Sequence, residues 1–165
     1  MSRLEPVRGY PRPQLVREGW ASLNGPWDFA IDFDASIRDP GRVEWTSTIN
    51  VPFAPETTLS GVGRTDLFHA CWYRRQFDVP QGDAPTVLLH FGAVDYRATV
   101  WVNRQLVGTH EGGYTPFTCD ISAAIDGETR CELVVRAEDD PTDLEKPRGK
   151  QDWTPTPHSI RRHRS

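Results

Sequence analysis

Trp27-Asp-Phe-Ala-Ile-Asp-Phe33 sets a bulky apolar residue at every second position over seven residues. A β-strand turns successive side chains to opposite faces, so Trp27, Phe29 and Ile31 share one face and the stretch reads as a half-buried strand. Immediately before it, Leu23-Asn-Gly-Pro has the composition of a turn. Further upstream, Tyr10-Pro-Arg-Pro is held extended, because proline fixes its own φ and restricts the residue before it. Downstream, Thr48–Val51, Trp72–Val79, Thr86–Phe91, Ala98–Asn103, Gln105–His110 and Cys131–Ala137 are further candidate strands, each bounded by Gly, Pro, Asn or Asp. Leu89, Phe91, Val100, Val102, Leu133 and Val135 keep the same period of two, and with Trp27, Phe29 and Ile31 they form the expected core. The one helical hint is a short turn at Ile121–Ile125, which Asp120 or Ser122 would cap.

Fourteen prolines and thirteen glycines punctuate these runs, a rhythm of short strands and turns that favours a sandwich or jelly roll over alternating β and α units. The 165 residues suffice for one domain, and 37% hydrophobic with 25% charged residues supports a folded core. A net charge of −4 and a pI near 5.7 give no cationic field for nucleic acid or anionic lipid. Met1-Ser-Arg-Leu-Glu-Pro has no apolar leader, and no stretch of about 20 apolar residues occurs. No membrane partner is expected, and a cytoplasmic location is the default. Cys71, Cys119 and Cys131 are odd in number and widely spaced, which reads as buried thiols with no metal site.

Several groupings invite a chemical reading. Glu138-Asp139-Asp140 would raise one member's pKa if it formed a carboxylate cluster, but acids commonly occupy turns, and a solvated turn after the strand ending at Ala137 is the preferred reading. His110 beside Glu111 is either an acid/base dyad or a strand end leading into the Gly112-Gly113 turn. Ser60, Asp66 and His69 make a triad on paper, without a GxSxG elbow around the serine. Gly61 and Gly63 lead into no helix, so no phosphate-binding loop is indicated. No catalytic residue, cofactor or metal is expected in this chain.

Recognition needs less than catalysis does. A sugar site combines an aromatic face, which packs on the C–H side of a pyranose, with a few oriented hydrogen-bonding side chains. Trp101, Tyr114 and Trp153 are the candidate aromatics, and Asn50, Arg148, Lys150 and Gln151 the candidate polar partners. Trp101 alternates with Val100 and Val102 and reads as core; Tyr114 and Trp153 lie in loops. The donors of Arg148, Lys150 and Gln151 beside Trp153 also suit an interface element.

Four stretches in order resemble the amino-terminal domain of glycoside hydrolase family 2, which includes β-galactosidases, β-glucuronidases and β-mannosidases. They are Trp20-Ala-Ser-Leu-Asn-Gly-Pro-Trp-Asp-Phe; Val51-Pro-Phe-Ala-Pro-Glu-Thr-Thr-Leu-Ser-Gly-Val-Gly leading to Trp72-Tyr-Arg-Arg-Gln-Phe; Leu89-His-Phe-Gly-Ala-Val-Asp-Tyr through Val100-Trp-Val-Asn to Val107-Gly-Thr-His-Glu-Gly-Gly-Tyr-Thr-Pro-Phe; and Pro147-Arg-Gly-Lys-Gln-Asp-Trp. The resemblance implies an antiparallel jelly-roll-like β-sandwich over 1–150, a carbohydrate-binding role, and a divergent, loosely held tail over 151–165. In the family, the segment matching His158-Ser-Ile continues into Trp-Tyr and a closing strand. Here it runs into Arg161-Arg-His-Arg-Ser, so the resemblance implies a truncated domain lacking its last strand.

The family hydrolyses glycosides with retention, using two glutamates about 5–5.5 Å apart. The resemblance places that pair on a downstream (β/α)8 barrel of about 250 residues, which 165 residues cannot include. An immunoglobulin-like domain and that barrel are therefore the implied partners, together with a β-glycoside ligand. By the same resemblance Asn50 matches a position from which some β-galactosidases lend an asparagine to the barrel. The Glu111–Phe117 loop matches an active-site-facing loop in which Gly112 stands where those enzymes carry an acid.

Overall fold

A computed structural model describes residues 19–79, 86–143 and 145–146. Its strands are β1 (Gly25–Asp32), β2 (Ser47–Val51), β3 (Ala70–Asp78), β4 (Leu88–Phe91), β5 (Arg97–Val102), β6 (Gln105–Glu111), β7 (Phe117–Asp120) and β8 (Arg130–Glu138). Six of them form one antiparallel sheet in the order β2-β1-β3-β8-β5-β6, and β4 pairs with β7 in a second sheet. Three single-turn 3-10 helices are the only helical segments among the described residues. The architecture is an open, all-β antiparallel sandwich.

The period-two pattern of the sequence decides which face each strand buries. Trp27, Phe29, Val100, Val102, Leu133 and Val135 from the large sheet meet Leu89 and Cys119 from the small one in a single core, with Ile31 and Phe91 packed at its margin. All nine expected core positions lie in this cluster. The three cysteines are free, buried thiols, and the Ile121–Ile125 turn is a 3-10 turn at Ser122–Ala124, held by Asp120 accepting from the Ser122 amide and hydroxyl.

Two features depart from the sequence reading. β7 has no counterpart among the candidate strands, because Phe117-Thr-Cys-Asp is only four residues long and offers little periodicity. Trp101 is not in the sandwich core. Alternation with Val100 and Val102 turns it to the outer face of the large sheet, where its ring stacks on Trp72 at 5.4 Å.

That outer face carries a second apolar cluster, Ala30, Val43, Trp72 and Val134, with Ile37, Trp45 and Trp101 against it. The segment between β1 and β2 supplies its cover. Asp32 is buried at the end of β1 and its carboxylate accepts from the amides of Ser36 at 3.0 Å and Ile37 at 2.9 Å, turning the chain back over the sheet. Asp39 then caps the 3-10 turn Pro40–Arg42 by accepting from the Gly41 amide at 2.8 Å. This directs Val43 and Trp45 onto the outer cluster. The strand stops at Asp32 because of that turn, leaving Phe33 51% exposed instead of continuing the apolar face.

Candidate functional site

Of the residues singled out for sugar contact, Asn50 and Tyr114 are described; Arg148, Lys150, Gln151 and Trp153 lie outside the described residues. Asn50 is exposed on β2, opposite Pro26 at one edge of the large sheet. Tyr114 is 77% exposed in the loop that follows β6, at the other edge. The strand registers also put them at opposite ends. Asp32, Ala70, Glu138, Arg97 and Glu111 form one row across the sheet, and the Tyr114 loop leaves from it, whereas Val51 and Gly25 mark the far end beside Asn50. Five strand spacings separate the edges, about 24 Å in the hydrogen-bonding direction. The two do not share a site on this domain.

The Tyr114 loop is held from below. The Gly112 amide donates to the Tyr96 carbonyl at 2.8 Å, and Gly112 adopts φ +125°, a backbone that a side chain strains to reach. At Gly113 a Cβ would overlap the Asp95 carboxylate, so only glycine allows this approach. His110 bonds Thr115 Oγ1 through Nε2 at 3.0 Å and stacks on Phe117 at 4.5 Å, and Phe117 in turn stacks on Phe91 at 4.6 Å. Glu111 faces the other way and pairs with Arg97 at 3.1 Å. His110 and Glu111 are therefore loop-positioning groups and not a dyad.

The remaining groupings resolve into structural roles. Ser60 is buried and its hydroxyl donates to the Thr57 carbonyl at 2.8 Å, while Asp66 is held by Arg64, whose hydrogen bond keeps its carboxyl below the usual range. No triad forms. Glu138-Asp139-Asp140 is not a solvated turn. Asp139 is 1% exposed and accepts from Lys146 at 3.3 Å, and Glu138 pairs with the buried Arg136 and, at 3.1 Å, with Arg38. Burial pushes the Glu138 carboxyl up, but Arg136, Arg38 and Arg97 together outweigh it and leave it below its ordinary value. β8 lies inside the sheet between β3 and β5, so its last residue, Glu138, is flanked by Ala70 and Arg97. Among the described residues no His, Cys, Asp or Glu group is arranged to hold a metal ion.

One concave feature escaped the sequence reading. Below the apolar cluster, the outer face of the large sheet bears two open depressions that share Arg74. One, about 250 Å3, is lined by Pro26, Asp28, Thr48 and Gln76 among others. The second, about 180 Å3, lies between Trp45, Arg104 and Glu132. Arg74 pairs with Asp28 at 2.7 Å, lies 3.9 Å from Glu132, and its guanidinium sits 4.6 Å from the centre of the Trp45 ring. Gln76 donates to Glu132 at 3.3 Å. The signal was present as polar residues alternating with the core residues of β1, β3 and β8. What brings them together is the register Asp28↔Arg74 and Gln76↔Glu132, which spacing alone does not supply.

This fold and its ordered motifs define a class. Residues 64–147 match the sugar binding domain of glycosyl hydrolases family 2, and the chain belongs to that family. It is 33% identical over 132 residues to the β-glucuronidase of Felis catus, covering 70% of this chain and 20% of that one. Over 105 residues it is 46% identical to a β-galactosidase of Thermoanaerobacter pseudethanolicus, covering 62% of this chain and 13% of the relative. Among solved structures, Faecalibacterium prausnitzii β-glucuronidase superposes with a TM-score of 0.61 at 31% identity, over 72% of this chain and 20% of its own. The chain thus spans about a fifth of the length of the β-glucuronidases it matches.

Proposed function

We propose that this domain is the accessory, carbohydrate-facing module of a β-glycosidase, with O-glycosyl hydrolysis carried out by a barrel outside it. One observation carries the reading: the chain aligns with a fifth of a β-glucuronidase, and that fifth makes its own sandwich core, in which the acidic groups singled out as chemical candidates are held in structural pairs. In this role the Glu111–Phe117 loop presents Tyr114 toward the neighbouring domain and its glycoside, and Asn50 and the side chains of Arg148, Lys150, Gln151 and Trp153 supply further contacts. The three free thiols fit a reducing, cytoplasmic setting. No helix among the described residues is long and apolar enough to cross a bilayer.

The test is turnover. The purified chain is expected to release no aglycone from aryl β-glucuronides, β-galactosides or β-mannosides, because retention needs a matched carboxyl pair across the bond. Turnover that disappears on replacing Glu138, Asp139 or Glu111 would overturn the reading.

A further inference from the structure

Of the three asparagines in the sequence, only Asn24 is followed by glycine; the others stand in Asn50-Val51 and Asn103-Arg104. Glycine has the least hindered backbone nitrogen, so Asn24-Gly25 is where an asparagine side chain is most open to attack by the next residue's amide. The fold holds the glycine in place. Gly25 opens β1 at φ +118°, a backbone that a side chain strains to reach. Asn24 is exposed in the turn before that strand, and its carboxamide makes no hydrogen bond among the described residues. Asn103 is the contrast: its side chain donates to the Ala124 carbonyl at 3.0 Å and the Cys131 sulfur at 3.2 Å, and accepts from the Glu132 amide at 3.0 Å. Gly25 stands in the terminal pair of the β1–β2 ladder, opposite Val51, where local opening is least costly.

Arg75 acts on the same peptide bond. Its register opposite Leu133 turns it to the core face of β3 with Tyr73 and Phe77, away from the Arg74 network. There its Nη1 donates to the Asn24 carbonyl at 3.2 Å and the Pro26 carbonyl at 3.3 Å, and it has no carboxylate partner among the described residues. When the Gly25 N–H loses its proton, the negative charge is shared between that nitrogen and the Asn24 carbonyl oxygen, so a cation on the oxygen stabilises the attacking anion. We infer that Asn24 is a site of spontaneous deamidation assisted by Arg75. The Gly25 nitrogen gives its proton to hydroxide and bonds to Asn24 Cγ; the Cγ–Nδ2 bond breaks, ammonia leaves and a cyclic imide closes. Water then opens the ring at Cγ to give aspartate, or at the backbone carbonyl carbon to give isoaspartate. Either product adds a negative charge to the turn. Isoaspartate also lengthens the main chain by one carbon, between β1 and the Leu23 carbonyl that accepts from Trp27 Nε1 at 2.7 Å. The site does not depend on the glycosidase reading, and its failure would leave that reading standing.

The purified 165-residue chain is held at mildly alkaline pH, sampled over weeks, digested with trypsin and read by mass spectrometry. The peptide spanning 18–38 contains no other side-chain amide, so the mass difference between carboxamide and carboxylate reports Asn24 alone. Conversion is expected there, with aspartate and isoaspartate products separable by chromatography, while Asn50 and Asn103 stay intact. The rate should rise about tenfold per pH unit, as a step that begins with loss of an amide proton to hydroxide requires. The native chain should convert at least as fast as the chain unfolded in urea, because only the native one holds Arg75 on the Asn24 carbonyl. Arg75→Gln keeps a donor without the charge. It should slow the native chain about three- to tenfold, as loss of a charge-assisted hydrogen bond to a developing anion does, and leave the rate in urea unchanged. A native wild-type rate well below the unfolded one overturns the site; this comparison needs no variant, so it decides even if Arg75→Gln does not fold. Equal native rates for wild type and folded Arg75→Gln overturn the assistance by Arg75.

Discussion

Phe29→Ala tests the sandwich at its centre. Phe29 is fully buried on β1, and its ring lies 5.1 Å from that of Tyr73, its register partner on β3. A phenylalanine removes about 200 Å2 from water, which at about 25 cal/mol per Å2 amounts to about 5 kcal/mol. Alanine retains the Cβ and part of that burial, but the cavity left behind restores much of the difference, so the expected cost is about 3–5 kcal/mol. Loss of the tilted ring pair with Tyr73 adds about 0.5–1.5 kcal/mol beyond area, placing the result at the upper end. Urea denaturation followed by tryptophan fluorescence would read the loss directly, and Tm should fall by about 10 °C. Leu106→Ala, 56% exposed on β6, is the control and should stay within about 0.5 kcal/mol. A Phe29→Ala loss below about 1 kcal/mol would remove Phe29 from the core and refute the face assignment of β1.

Gly108→Ala on β6 should destabilise by about 1–3 kcal/mol through overpacking, since its Cβ would collide with the Cys119 sulfur. The Cys119→Ala background should relieve most of that penalty; additive losses in the double-mutant cycle would show that the two residues are not in contact. Glu138 has a folded-state pKa below its unfolded value, so its ion pairs contribute stability above the unfolded carboxyl pKa that is lost as pH falls through the folded value. Glu138→Gln should accordingly flatten the acid limb of the stability–pH curve, and an unchanged limb would remove this group from the linkage. Asp140 is likewise held low, by the Thr142 side chain first, so replacing Thr142 with Val should raise the Asp140 pKa, as NMR titration would read.

Strand faces were legible in the sequence because alternation is a local property. Trp27, Phe29 and Ile31 need no knowledge of their neighbours to be placed on one side. The outer cluster was not legible, since Val43 and Trp45 reach Trp72 only after Asp32 and Asp39 have turned the chain twice by capping backbone amides. Asp139 shows the same limit: an acid after a strand ordinarily faces water, whereas here it is buried and paired with Lys146. The surface residues were unevenly legible for a related reason. Tyr114 stands out in the sequence as a loop aromatic following two glycines, whereas Arg74 and Glu132 become neighbours only when β8 takes its place beside β3.

That placement of β8 has a consequence for synthesis. Among the described strands, β2-β1-β3 and β5-β6 share no hydrogen bonds with each other; each joins the sheet through β8, the last of them to be made. A nascent chain that has not yet released Arg130–Glu138 therefore holds two partial sheets, with the inner edges of β3 and β5 both unpaired. Open edges of this kind recruit strands from other chains. Through that interval on the ribosome the domain's exposure to misassembly is greatest, and it ends when a single nine-residue segment inserts between the two halves.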